Sequence, residues 1–433
     1  MPLTPMREVA NQNADEDYPL LADGEMPIRL RIPSNENPMR IAIAIPRIAP
    51  ERGGAESWSL QFCQWLLAMG HDVRIIGLQA ADKLPLPAEC VQVINTRCRT
   101  SAIRELDAIY DAEQFDIIHD MGLGVRFDIF QSHVGSRHAL QAGSLNSRPP
   151  LLRFITGLAQ KVSQRKRILN RISDTQFANP SAWYVAVSRM VAQGLHALEH
   201  IPQERIHCVP NGINTDLYRP AATEADREQA RRRFAIAPDE LCLLTIAHNH
   251  RLKGVPLLVS AIRRSQAFQQ NLHLLVVGGR HENGKRVQLG KHRVTFTGPL
   301  SDPTPTYIAA DVCVHPTFYD ACSLTVLEAL SCGLPTITTL CNGAADRIVH
   351  GVNGYLLPSP HEMRQLLMHL NTLASPEVRR RMGVAAREAA LSWTIEDNFR
   401  AMESLHRACL AAKTQTDAFA PTESTAGLRL RAA

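Results

Sequence analysis

Asp320 and Glu328 are separated by seven residues, and Ser323 and Thr325 stand between them. The stretch around them, Val312 to Thr339, opens with a short β-rich run ending at His315-Pro316 and continues into a polar loop. A helix follows, with Leu324, Leu327, Ala329 and Leu330 on its apolar face, and Gly333 to Pro335 ends it before a second β-rich run. Serine and threonine in a first helical turn lie beside unpaired backbone N–H groups at the positive end of the helix dipole. That combination binds anions, phosphate above all. Glu328 lies about 7 Å further along the axis at 1.5 Å rise per residue, within reach of a ribose whose phosphates sit at the helix start. Taken alone, the two acids read more readily as a solvated loop acid and a helix-surface acid.

A second group carries positive charge. His248-Asn249-His250-Arg251-Leu252-Lys253-Gly254 follows the apolar run LCLLTIAH and precedes a helix from about Val255. Cations at a strand end are placed to neutralise a departing diphosphate. Near the other end of the chain the buried strand MRIAIAI runs into PRIAPERGGAES and a helix over Ser57–Met69, closed by Gly70. Gly53-Gly54 there allows a backbone to approach a phosphate or sugar closely. His119-Asp120 and His133 end two further strands, DIIHD and DIFQSH.

These residues require a scaffold of parallel strands. HDVRIIGL, VQVI, DIIHD, DIFQSH and WYVAVS alternate with helical segments, and a second such series begins at LCLLTIAH and continues through LHLLVVGG, VTFTG, 312–316 and PTITT. In parallel sheets ligands gather beyond the carboxyl ends of the strands, where the candidate residues fall. At 433 residues two cores are expected. The expected boundaries are a disordered tail over 1–38, a first Rossmann-like domain over 39–205, a second over 206–391, a terminal helix over 392–411 and a flexible tail over 412–433.

Composition narrows the partners. Hydrophobic content of 45% and charged content of 21% are those of a globular protein, and a net charge of +5 without interleaved aromatics points away from nucleic acid. Ten scattered cysteines form no CxxC pair, so neither a zinc site nor a disulfide framework is expected. No apolar run reaches membrane-spanning length. The segment LLRFITGLAQKVSQRKRILNRIS places Arg153, Lys161, Arg165, Lys166, Arg167 and Arg171 around apolar residues such as Phe154 and Leu158. It reads either as a solvated amphipathic surface or as a face for anionic lipid head groups.

Asp320, seven residues and Glu328 resemble the Glu-seven-residues-Glu motif of retaining glycosyltransferases of family 4, which have the GT-B fold. The whole run is similar to that family's sugar-nucleotide site, closest to the branch that adds glucose to the lipopolysaccharide inner core. The family's first acid is usually Glu, and Asp320 is a methylene shorter. Lys253-Gly254 matches the family's Lys-Gly; where the family commonly has Arg, five residues before that Lys, His248 stands here, and Arg251 is the other nearby charge. Ile206–Pro220 closely resembles the family's Pro-Asn-Gly linker into the second domain.

The resemblance implies two Rossmann-like domains facing across a cleft, an acceptor-side one over 39–205 and a nucleotide-sugar one over 206–391, with the helix over 392–411 crossing back to the first. It implies transfer of a hexose, glucose from UDP-glucose, to a lipopolysaccharide-core-like or other cell-envelope glycan or glycolipid. His133 would lie beside the donor's anomeric centre, Asp120 near the acceptor, and Asp320 on the sugar hydroxyls. Lys253, His248 and Arg251 would meet the diphosphate, with Gly53, Gly54 and the segment Cys322, Ser323, Leu324 and Thr325 around it, and Glu328 would hold the ribose. No metal and no cofactor beyond the nucleotide sugar is implied. The related glucosyltransferases also carry a basic membrane-facing segment, which favours a cytoplasmic protein resting on the inner face of the membrane. The alternatives are a non-catalytic nucleotide-sugar-binding protein and a GT-B enzyme with a different donor and acceptor.

Overall fold

The computed structural model describes residues 37–419 except 51–52, 97, 163, 266–267 and 280–283. The tail expected over 1–38, but for its last two residues, and the chain from 420 onward lie outside the described residues. The first half runs β1 (Arg40–Ala44), α1 (Gly54–Ala68), β2 (Asp72–Gly77), β3 (Val91–Val93), α2 (Arg99–Glu113), β4 (Ile117–Asp120), β5 (Ile129–Gln131), α3 (Arg137–Asn146), α4 (Pro150–Val162), α5 (Gln164–Phe177), β6 (Trp183–Ala186), α6 (Arg189–Glu199) and β7 (Ile206–Cys208). Its sheet has the order β3-β2-β1-β4-β5-β6-β7, and every pairing is parallel. A parallel sheet covered on both faces needs strands that are apolar throughout. β1 supplies this: Ile41 and Ile43 enter one core while Ala42 and Ala44 face the other.

The second half repeats the plan with α7 (Glu224–Arg233), β8 (Leu241–Ile246), α8 (Val255–Arg264), β9 (Leu272–Val277), β10 (Arg286–Leu289), β11 (His292–Gly298), α9 (Thr304–Ala309), β12 (Val312–His315), α10 (Leu324–Ser331), β13 (Thr336–Thr339), β14 (Gly354–Leu357), α11 (Met363–Thr372) and α12 (Pro376–Ala390). Its order is β10-β11-β9-β8-β12-β13-β14, parallel except for the antiparallel β10–β11 edge hairpin. β8 divides its side chains as β1 does, Leu241 and Leu243 to one core, Cys242 and Leu244 to the other.

The chain passes between the two sheets twice, and the two passages touch. Ile213 N–H donates to the Trp393 carbonyl at 2.9 Å, and Ile395 N–H returns to the Ile213 carbonyl at 3.0 Å. Gly212 makes the approach possible, since a Cβ there would lie 2.2 Å from the Thr394 carbonyl oxygen. The last helix, α13 (Ile395–Phe419), then docks on the first domain. Ile395, Phe399, Met402, Leu405 and Cys409 enter the same core as Ile41 and Phe62. Each large side chain so buried contributes roughly 1.5–3 kcal/mol. Asn398 ties the region together: its Nδ2 donates to the Pro210 carbonyl at 2.8 Å and its Oδ1 accepts from Trp58 Nε1 at 2.7 Å.

Two details depart from the expected layout. Ile206–Cys208 pairs with β6 and so closes the first sheet, which moves the crossing to Val209 and beyond. The last helix continues past 411 because Lys413 donates to the Asp116 carbonyl at 2.9 Å and pairs with Asp128 at 2.8 Å. Among the described residues no helix is long and apolar enough to cross a membrane.

Candidate active site

β12 ends at His315, which is fully buried, and the loop after it returns Asp320 to the same spot. His315 Nε2 lies 3.3 Å from Asp320 Oδ2, and Lys253 Nζ reaches the same oxygen at 2.5 Å. Lys253 comes from the turn before α8. Gly254 caps that helix at φ +75°, and a Cβ on it would lie 2.0 Å from the Pro316 carbonyl oxygen, so only glycine lets the turn lie against the loop. Burial opposes ionisation of Asp320, yet Lys253 and His315 outweigh it and hold the carboxyl well below its usual range. Burial lowers the His315 pKa, with Asp320 opposing, so the ring is neutral and offers its Nε2–H to Asp320. The Asp320 backbone is fixed as well, its N–H donating to Cys341 O at 3.0 Å and its carbonyl accepting from Gly343 N–H at 2.9 Å.

Ser323 occupies the N-cap position of α10, but its hydroxyl does not cap the helix. That oxygen lies 3.5 Å from His315 Nε2, and the Ser323 N–H donates to Asn342 Oδ1 at 3.1 Å. Glu328, half-buried on α10, accepts a hydrogen bond from the Tyr307 hydroxyl, and Tyr218 bonds to it too. Burial raises its pKa while the two tyrosines oppose the rise. Sequence reasoning missed both tyrosines, as it missed His315; neither tyrosine is a local neighbour of Glu328, and no spacing signals them. Cys322, Leu324 and Thr325 are half-buried around the helix start, while His248 and Arg251 are exposed on the turn before Lys253.

The first domain faces this surface through its glycine loop. Gly53 precedes α1 and Gly54 begins it, three residues earlier than the sequence suggests. A Cβ on Gly54 would lie 2.6 Å from Leu324 Cδ1, so the loop touches the first residue of α10 directly. His133 lies just beyond β5 with its ring 5.4 Å from that of Trp58, and burial pushes its pKa down to about 4, so it is neutral at pH 7. Asp120 is differently employed. Its buried carboxylate accepts N–H bonds from Gly122 at 2.7 Å, Leu123 at 3.0 Å and Gly124 at 2.5 Å, and thereby shapes the loop after β4. Burial still pushes its pKa up to about 6 against those bonds. The fold thus brings Lys253, Asp320, Ser323 and Leu324 together and sets Gly54 against them, with Glu328 further along α10.

Residues 52–217 match the family described as Glycosyltransferase Family 4, and residues 240–373 match Glycosyl transferases group 1. A D-inositol 3-phosphate glycosyltransferase of Pseudarthrobacter chlorophenolicus is 31% identical over 338 residues, covering 72% of this chain and 80% of that protein. The lipopolysaccharide glucosyltransferase WaaG of Escherichia coli is 24% identical over 335 residues, 72% of this chain and 84% of that protein. A crystal structure of WaaG superposes with a TM-score of 0.69 at 19% identity, covering 84% of this chain and 99% of that one. Anabaena HepE in complex with UDP-glucose gives 0.62 at 18% identity, covering 87% and 100%. The chain belongs to glycosyltransferase family 4 and is a hexosyltransferase of GT-B architecture.

Proposed function

We propose that the protein transfers glucose from UDP-glucose, with retention of anomeric configuration, to a lipopolysaccharide-core-like glycan. The observation that carries this reading is the arrangement of Lys253, Asp320 and Glu328 along one surface of the second domain, with Gly54 of the first domain closing against Leu324. Lys253 and the start of α10 meet the diphosphate, Glu328 exchanges a tyrosine bond for the ribose, and Asp320 and His133 hold the sugar. As the bond from C1 to the β-phosphate oxygen breaks, the acceptor hydroxyl forms its bond to C1 on the same face. Its proton passes to the leaving phosphate oxygen, giving UDP and the glycoside. Positive charge near the phosphate is worth most at that moment, when the leaving group gains charge. Asp320 Oδ2 is already engaged by Lys253 and His315, which disfavours a covalent glycosyl-aspartate and supports the same-face route.

A membrane-bound acceptor suits the surface of α4 and α5. Leu151, Phe154 and Ile155 are 72%, 67% and 52% exposed there, far above ordinary core side chains, and Arg153, Arg167 and Arg171 are exposed beside them. Apolar side chains among cations are the chemistry of a peripheral contact with anionic lipid, at about 1 kcal/mol per basic residue near the surface. A second acceptor class, an inositol phosphate, is favoured by the 31% identical relative.

The test is nucleotide release from UDP-, GDP- and ADP-glucose, with and without lipopolysaccharide core or inositol phosphate, and the anomeric configuration of the product by NMR. Release of UDP only with core acceptor and an α-linked product are expected. Preference for another nucleotide overturns the donor, an inverted product overturns the mechanism, and binding without release in any arm supports a binding protein instead.

A further inference from the structure

We propose that Tyr319 is a positioning residue: its hydroxyl is one jaw of a two-point latch, Ser188 the other, by which the first domain grips the segment carrying Asp320 and aligns it with His133. The roles of Asp320 and His133 rest on the function proposed above. The grip alternates along three consecutive residues. Tyr319 donates from its hydroxyl to the Val134 carbonyl at 2.8 Å, the residue beside His133. Asp320 bonds through its backbone to Cys341 and Gly343 of its own domain. Ala321 then accepts from Ser188 Oγ at 2.8 Å, again from the first domain.

Both jaws are built around missing side chains. A Cβ on Gly135, which sits at φ +68°, would lie 2.4 Å from the Tyr319 hydroxyl. A Cβ on Gly143 of α3 would lie 2.5 Å from Tyr319 Cβ and 2.9 Å from the Phe318 carbonyl oxygen. Tyr319 thus stands in a slot formed by two glycines of the facing domain and is only 5% exposed. At the other jaw a Cβ on Gly343 would lie 2.2 Å from Ser188 Oγ. Ser188 meanwhile accepts from Val191 N–H at 3.1 Å as the cap of α6, so it is held rigidly on its own side. When the domains part, both hydrogen bonds are lost together and Asp320 loses its reference to His133. Closure onto the donor therefore assembles the two residues as one unit.

Tyr319→Phe keeps the ring and removes the hydroxyl. Gly143→Ala puts a methyl into the slot at a helical position where alanine is intrinsically preferred, so it obstructs closure without weakening α3. For each variant three quantities are read: calorimetric UDP affinity, kcat and KM for transfer, and the distance between spin labels on the two domains with and without UDP. In both variants the distance distribution with UDP bound is expected to shift longer. UDP affinity should stay within about twofold and kcat should fall by about tenfold or more, the loss from one buried hydrogen bond, while KM changes little. A kcat within about twofold of the parent, an unchanged distance distribution, or a loss of UDP affinity as large as the loss of kcat overturns the latch. If the parent protein transfers no sugar, the proposed function fails, and the spin-label distances still decide the latch by themselves.

Discussion

Lys253 Nζ lies 2.5 Å from Asp320 Oδ2 although the two residues are 67 positions apart in the chain. A cation assigned to the leaving phosphate and an acid assigned to the sugar therefore share one hydrogen bond. Lys253→Ala removes the leaving-group charge and also the chief support for the Asp320 carboxylate. Turnover is expected to fall by about 2.7–4 kcal/mol of barrier, as when one such stabiliser is lost, while the fold persists on His315 and the backbone bonds. Steady-state kinetics beside a thermal melt provide the check. A folded variant with near-parent turnover would take Lys253 out of the site.

The two motif acids should separate in binding. Glu328→Ala is expected to weaken UDP and UDP-glucose alike, because the ribose is common to both. Asp320→Ala should spare UDP and weaken only UDP-glucose, by roughly 1.5–3 kcal/mol for a lost charged hydrogen bond. Tyr307→Phe frees Glu328 from its hydroxyl partner and should leave UDP affinity equal or improved. Calorimetry on the three variants is decisive, and equal losses for both ligands in Asp320→Ala contradict its place on the sugar.

Acid should destabilise the protein through its buried histidines. His119 and His406 are fully buried, with His406 Nε2 3.2 Å from His119 Nδ1. Burial first, and neighbouring histidines second, lower both pKa values, His406 to about 3. The unfolded chain takes up these protons near pH 6.5 and the folded one does not, so the unfolded state binds more protons and stability falls as pH drops below 6.5. At pH 5 the difference for His406 is roughly 2 kcal/mol at 1.36 kcal/mol per unit. Asp120 acts oppositely: its raised pKa favours the fold below about 3.8, a contribution lost as pH rises through about 6. His406→Gln is expected to show a smaller drop in melting temperature between pH 7 and 5 than the parent. Equal drops would exclude His406 as a source.

Binding to vesicles should depend on the α4–α5 surface. Phe154→Glu, and separately Arg167→Glu with Arg171→Glu, are expected to lower sedimentation with phosphatidylglycerol vesicles. Parent binding should weaken steeply with salt, because exposed charges are screened beyond about 8 Å at physiological ionic strength. Salt-insensitive binding, or variants that sediment like the parent, would count against this face.

What was legible in the sequence was local. Asp320, seven residues and Glu328, or Lys253-Gly254, show themselves because a helix start and a tight turn need particular residues a few positions apart. The parallel strands were legible because burial on both faces makes them apolar throughout. Tyr319 and Val134 are 185 positions apart, and Ser188 and Ala321 are 133, so nothing in either segment announces the pairing. β10 leaves little trace in the sequence because RVQL is a short edge strand with one buried side chain, Leu289. Ile206–Cys208 reads with the second half because its three residues adjoin the Pro-Asn-Gly crossing without a break, whereas its pairing with β6 puts it in the first.

The docking of α13 also governs the order in which the molecule can be finished. A ribosome that has released the chain through Trp393 has delivered every strand of both described sheets. It has not yet delivered Phe399, Met402 and Leu405, which cover one face of the first. The half that emerges earliest is therefore the half completed last, and until then Ile41, Ile43 and Phe62 wait without their cover. Loss of α13 would be felt most by the domain made first.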